Sequence, residues 1–292
     1  MSDFACHWVD AFTDRPFGGN GCAVVHGAAH LDDETCTSFV RETSLVECTF
    51  LGPSDVADLR VRYFLASREI PFAGHPTVAS VIAAHAAGTI GVGDLTLETL
   101  AGIIPVTLSD DGKRVSMRQI APKFGPVVDK TLAAAAIGVD AGDLLAAPQL
   151  VSTGLPFIIV PLRDQAALRR AQLNAKALQA MNETLGPEGA DVMEPFITSL
   201  GGFTEGGDTF SRLLLMPPSP AEDAFTGSAT GAMASYLWHH NLIETPEFVA
   251  EQGHLMGRPG RANVRVLGTR DAIEGVEVSG NGHILISGTL HL

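Results

Sequence analysis

The chain has 292 residues, 46% hydrophobic and 18% charged, with 31 Gly and 17 Pro, a globular composition of two-domain length that excludes a disordered chain. The formal net charge of −14 excludes nucleic acid as a partner, because phosphate binding needs clustered Lys and Arg. No apolar run is long enough for a membrane helix. Residues 1–8 lack the basic start and apolar stretch of a secretory signal, so no membrane partner and a cytoplasmic location are expected.

In chain order, apolar runs bounded by Gly, Pro or Asp predict strands over 9–12, 22–25, 48–51 and 59–65. A surface helix is predicted over 32–41. The four cysteines, Cys6, Cys22, Cys36 and Cys48, form no Cys-x-x-Cys pair and are read as small buried thiols. After Gly74, His75 stands at an expected N-cap and Pro76 at the first helical position. The helix then runs over 77–87 to Gly88, a suitable residue just past a helix end. It is apolar on nearly every side, so it is expected to be buried. A second surface helix is predicted over 132–147, and strands at Val151 and over 157–161 and 213–216. Ser228 is a competent cap for another apolar helix over 229–239. Asn281-Gly282, within 278–286, has the signature of a two-residue hairpin turn.

The chain carries a weak internal duplication. Phe72, Gly74, Thr77 and Ala79 match Phe225, Gly227, Thr230 and Ala232, each pair 153 positions apart. Upstream, the segment 19–25 echoes 154–160. In both halves a β-rich stretch leads to the motif and a buried helix follows. The expected architecture is therefore α+β, with mixed sheet curled around one central helix per half. The expected domains are 1–118, with 279–292 returning to it, and 119–278.

A buried helix start presents backbone N–H groups without intrahelical acceptors and about half a positive charge. A ligand carboxylate would satisfy both. His75 and Ser228 are read either as plain caps or as groups facing such a ligand. Glu47 lies in the apolar run 45–51. It is read either as a carboxylate on the wet face of an edge strand, or as one partly desolvated by Leu45, Val46 and Phe50, whose raised pKa suits a group that takes and returns a proton. Asp223 reads as a turn cap through an Asx hydrogen bond. Nucleotide-binding loops and a nucleophile elbow are absent from the sequence. His239 and His240 are adjacent, so they face different sides of a helix and do not form an i, i+4 metal pair. No metal and no organic cofactor are expected.

Five segments resemble the PhzF-like family of phenazine biosynthesis. They are Val9-Asp-Ala-Phe12 with Gly19-Asn20 and Ala23-Val-Val25; Leu45-Val-Glu-Cys-Thr-Phe50; Glu69-Ile-Pro-Phe-Ala-Gly-His-Pro76; Glu222-Asp-Ala-Phe-Thr-Gly-Ser-Ala229; and Glu251-Gln-Gly with Gly257-Arg-Pro259. They occur in the family's order across nearly the whole chain. The resemblance implies a diaminopimelate epimerase-like fold of two pseudo-symmetric halves, an isomerase free of metal and cofactor, a small carboxylic-acid substrate and a homodimer. It implies Glu47 as general acid/base in a cleft between the halves, with His75 and Asp223 as the other catalytic residues. Asn20, Gly74, Thr226, Gly227 and Ser228 would bind the substrate. The best-studied activity of the family isomerises trans-2,3-dihydro-3-hydroxyanthranilate. Gly21 and Phe225 depart from the family pattern, so a different small acid is expected here. Two other readings remain open. One is an epimerase or racemase on the same fold, which would need a thiol at each helix start. The other is a small-acid binding or regulatory protein without catalysis.

Overall fold

The computed structural model describes residues 2–186, 194–217 and 220–292. The chain divides into two compact units, Met1–Met117 with Ser279–Leu292, and Arg118–Val278. Together they make an α+β architecture. The first unit contains β1 (Asp3–Ala11), β2 (Asn20–Val25), α1 (Asp33–Thr43), β3 (Cys48–Gly52), β4 (Leu59–Phe64), β5 (Glu69–Ile70), α2 (Gly74–Ala86), β6 (Gly93–Thr99), β7 (Gly102–Leu108) and most of β8 (Arg114–Gln119). The second contains β9 (Lys123–Val127), α3 (Lys130–Ile137), β10 (Gln149–Ser152), β11 (Pro156–Leu162), α4 (Gln165–Arg170), α5 (Ala175–Thr184), β12 (Pro195–Leu200), β13 (Thr209–Leu214), β14 (Glu222–Asp223), α6 (Gly227–His239), β15 (Glu247–Gln252) and β16 (Gly260–Thr269). The last strand, β17 (Ala272–His291), contributes residues to both units.

In the first unit β1–β2 are antiparallel, β2–β3 parallel, β3–β4 and β4–β5 antiparallel, β4–β6 parallel and β6–β7 antiparallel. In the second, β10–β11 are antiparallel, β11–β12 parallel, β12–β13 and β13–β14 antiparallel, β13–β15 parallel and β15–β16 antiparallel. Parallel neighbours need a crossover. Helix α1 makes it between β2 and β3, α4 and α5 between β11 and β12, α2 between β4 and β6, and α6 between β13 and β15.

Helix α1 starts on Asp32, whose carboxylate accepts the Thr35 amide at 2.7 Å, and stops where Ser44 turns left-handed. It packs Cys36 and Val40 onto Ala23, Val25, Phe50 and Phe64. In the second unit α3, α4 and α5 bury Ile137, Leu168 and Leu178 against Val160, Ile197 and Phe210.

Helix α2 is buried without interruption from Gly74 to Ala84, and α6 from Ala229 to Leu237. Small residues, Ala above all, recur in both, so neighbouring strands approach the helix backbone closely. Buried hydroxyls return to the helix itself: Thr77 Oγ1 donates to the Ala73 carbonyl and Ser235 Oγ to that of Gly231.

Four local expectations are corrected. The predicted helix over 132–147 ends at Ile137, because Gly138 takes a left-handed conformation (φ 66°) that stops it. The predicted strand over 213–216 is the end of β13, which stops at Leu214. Asn281-Gly282 is not a turn but the interior of β17, where residues 282–291 pair with β1. Its glycines answer close packing: a Cβ on Gly282 would stand 2.7 Å from Ile82 Cγ1, and one on Gly280 would overlap the Phe12 ring. Finally, neither His75 nor Ser228 is an N-cap. The caps are Ala73 and Thr226, and His75 and Ser228 occupy the second helical position of α2 and α6.

Candidate active site

At the start of α2 the backbone enters from an extended Ala73, which supplies no capping side chain. Gly74 and His75 therefore begin the helix with their amides in the first turn, where no intrahelical acceptor exists. His75 is 4% exposed. Its Nδ1 lies 3.2 Å from Asn20 Nδ2 and 3.7 Å from Glu47 Oε2. Asn20 opens β2 opposite Ala11. It follows Gly19, whose positive φ and contact with the Ala11 carbonyl leave no room for a Cβ. The turn that brings it there is held by Asp10, a fully buried carboxylate accepting the Phe17 amide at 2.8 Å.

Glu47 sits in the short connection between α1 and β3, one residue before the strand, rather than inside a strand. Its side chain is 14% exposed, which answers the question left by the sequence: this is not a wet-face carboxylate. Below it the inner face continues in hydroxyls. Ser80 Oγ meets Thr49 Oγ1 at 2.9 Å, and Tyr63 OH meets Thr77 Oγ1 at 2.8 Å. A carboxylate, an imidazole and an amide thus converge on one helix start.

At the start of α6 the groups differ. Asp223, 6% exposed, accepts the Thr226 hydroxyl at 2.5 Å. Gln252 braces both: its Oε1 accepts the Thr226 amide at 3.0 Å, and its Nε2 donates to the Asp223 carbonyl at 2.9 Å and to Thr226 Oγ1 at 3.2 Å. Gln119 Nε2 donates to the Gly227 carbonyl at 2.9 Å, and Gln119 Oε1 accepts from Thr153 Oγ1 at 2.5 Å. Gln119 lies flat on the helix because position 231 is Gly; a Cβ there would overlap its side-chain amide. Ser228 is half-buried, one residue beyond Gly227.

The first unit therefore gathers Asn20, Glu47, Gly74 and His75, and the second gathers Asp223, Thr226, Gly227 and Ser228. Sequence reasoning missed Gln119, Thr153 and Gln252, although Gln252 lies inside one of the segments that carried the resemblance. The thiols are not at the helix starts. Burial pushes the pKa of Cys22 well up and that of Cys48 up to about 12, so neither is a thiolate at neutral pH. A two-thiol epimerase arrangement is absent from the described residues.

Comparison with known proteins gives a consistent result. The family model described as phenazine biosynthesis-like protein matches residues 9–288. A protein named uncharacterized isomerase YddE from Escherichia coli strain K12 is 33% identical over 292 residues, covering 95% of each chain. The trans-2,3-dihydro-3-hydroxyanthranilate isomerase of Pseudomonas aeruginosa is 32% identical over 289 residues, covering 97% of this chain and 98% of its own. The crystal structure of a PhzF-family phenazine biosynthesis protein from Bacillus anthracis superposes with a TM-score of 0.88 at 26% identity over the full length of both chains.

Proposed function

The chain belongs to the phenazine biosynthesis-like protein family and is an isomerase, and from that premise we propose that it moves a proton between two carbons of a small carboxylic acid without metal or organic cofactor. Glu47 is the general acid/base. Its carboxylate takes the proton from one carbon and returns it to another, so the enzyme ends in its starting state. His75, oriented by Asn20, polarises the substrate beside it. The amides of Gly227 and Ser228, at the positive end of α6, hold the substrate carboxylate. Asp223 and Thr226, braced by Gln252, fix that helix start. Bringing both helix starts to one substrate is part of the proposal and rests on the family resemblance.

The observation that carries this reading is the meeting of a largely buried Glu47 carboxylate with His75 Nδ1 at 3.7 Å. A binding protein without catalysis has no need of a carboxylate there. The matching series of strand pairings in the two units, with helix starts 153 positions apart, supports duplicated, pseudo-symmetric halves.

The test is Glu47→Gln, which keeps the shape of the side chain and removes its basicity. Wild type and variant would be incubated in deuterated water with a panel of cyclic and acyclic 2-amino and 2-hydroxy acids, including trans-2,3-dihydro-3-hydroxyanthranilate. Carbon-bound deuterium and product would be read by NMR. The expected result is retained acid binding with proton transfer reduced by about 10³-fold or more, the order contributed by a positioned acid/base. Undiminished transfer in Glu47→Gln would end the assignment.

A further inference from the structure

Each central helix is preceded by a strand of only two residues. β5 is held by the register pairs Tyr63↔Ile70 and Phe64↔Glu69, and β14 by Leu213↔Asp223 and Leu214↔Glu222. Two ladder pairs fix a segment weakly, yet these strands set the position of the helix starts that follow four residues later. In both units an arginine supplies what the backbone does not.

Arg62, on β4, has a side chain 12% exposed. Its Nε donates to Glu69 Oε1 at 2.9 Å and its Nη2 to Glu69 Oε2 at 2.8 Å, the bidentate fork. Nη1 donates to the carbonyls of Leu31 at 2.6 Å and Ala29 at 3.3 Å, just ahead of α1, and Nη2 also reaches Asp33 Oδ1 at 2.6 Å. Arg212, on β13, has a side chain 9% exposed. Its Nε donates to Glu222 Oε2 at 3.1 Å and its Nη2 to Glu222 Oε1 at 2.5 Å. Nη1 donates to the carbonyls of Leu168 at 2.6 Å and Ala171 at 3.0 Å, at the end of α4. The use of the three guanidinium nitrogens is the same in both. Nε and Nη2 hold the glutamate that begins the lead-in to the central helix, and Nη1 holds two carbonyls of the preceding crossover.

We propose that Arg62 and Arg212 are positioning residues of the isomerase: Arg62 sets the lead-in that places Gly74 and His75, and Arg212 sets the lead-in that places Asp223 and the amides of Gly227 and Ser228. The proposal rests on the functional reading above, in which the first unit moves the proton and the second holds the carboxylate. The two clamps then have different kinetic signatures. Lysine keeps the charge but loses the planar fork. Arg62→Lys lowers kcat by about ten- to a hundredfold with KM nearly unchanged, the scale expected when a catalytic group is displaced by about 1 Å. Arg212→Lys raises KM about tenfold with a smaller change in kcat, because carboxylate binding is what it disturbs.

The experiment has two independent readouts. The first is steady-state kinetics of both variants on trans-2,3-dihydro-3-hydroxyanthranilate, the substrate named for the Pseudomonas aeruginosa relative, or on whichever panel acid the wild type turns over. The second is amide hydrogen exchange by mass spectrometry, which needs no substrate. Arg62→Lys is expected to speed exchange about tenfold or more in residues 69–77 and not in 222–230, and Arg212→Lys the reverse. Exchange that rises across the whole chain alike, or in neither segment, overturns the positioning role. Local exchange changes with a wild type inactive on every acid tested would instead count against the functional reading and leave the clamps standing. If either lysine variant does not fold, Glu69→Gln and Glu222→Gln, which keep one acceptor oxygen, are read by the same exchange pattern.

Discussion

The starts of α2 and α6 share their backbone plan, with a glycine at the first helical position, a polar residue at the second, and a cap whose side chain makes no capping bond. The side chains around them differ in kind. At α2 they are Asn20, Glu47 and His75, a carboxamide, a carboxyl group and an imidazole. At α6, apart from Asp223, they are the neutral groups of Gln119, Thr153, Thr226 and Gln252, hydrogen-bonded in the pairs Gln119–Thr153 and Thr226–Gln252 and to the Gly227 and Asp223 carbonyls at 2.5–3.2 Å. In the proposed function one backbone device carries two loads. Proton transfer calls for groups whose charge can change, whereas holding an anion calls for fixed dipoles that do not rearrange.

The comparison can be broken most severely at His75. His75→Ala is expected to lower turnover by about 10²–10⁴-fold with substrate binding largely kept. A loss confined to KM would erase the division between the two starts. Asp223→Ala removes a charged acceptor from the Thr226 hydroxyl, about 1.5–3 kcal/mol. The expected outcome is a rise in KM of about ten- to a hundredfold, measured on the same acid. Gly231→Ala tests the α6 side alone. Its Cβ overlaps Gln119, and overpacking of this kind costs about 1–3 kcal/mol in a urea melt. In α2 the residue at the same spacing is already Val78, fully buried, so Val78→Ala should instead lose stability through a cavity, about 1–2 kcal/mol.

The smallest expected effect belongs to the first unit. His7 Nδ1 and His26 Nε2 lie 2.8 Å apart, and burial, with His7 beside it, pushes the His26 pKa down to about 4. The folded state therefore holds His26 neutral. Its contribution to stability is complete above pH 6.5 and is lost as pH falls toward 4. Because the ring is partly open to water, about 1 kcal/mol is expected. His26→Gln should flatten that part of the stability profile between pH 7 and 4. An unchanged profile would show that His26 is not the titrating group.

Much of the fold follows from local pattern. The runs 22–25, 48–51, 59–65 and 157–161 fall on β2, β3, β4 and β11, and the all-apolar segments fall on the buried helices. What local pattern does not carry is the partner across space. Asn281-Gly282 has the composition of a turn, and only the contact of Gly282 with Ile82 explains why it is strand. The alanine run after residue 132 favours helix, but Gly138 stops it. Glu47, Gly74 and His75 were found through motifs of adjacent residues. Gln119 and Gln252 grip α6 from 108 and 26 positions away, and the arginine clamps reach 7–44 positions along the chain. One sequence contains no signal for such pairings.

Strand β1 is flanked on one side by β2 and on the other by residues 282–291 of β17. During synthesis β1 therefore waits, with one ladder unfilled, until residues 282–291 emerge, after all of residues 118–278. Removing residues 283–292 would leave that ladder bare from Asp3 to Asp10, a long template for association between chains. The disordering effect of so short a truncation should show first as aggregation rather than as slow turnover.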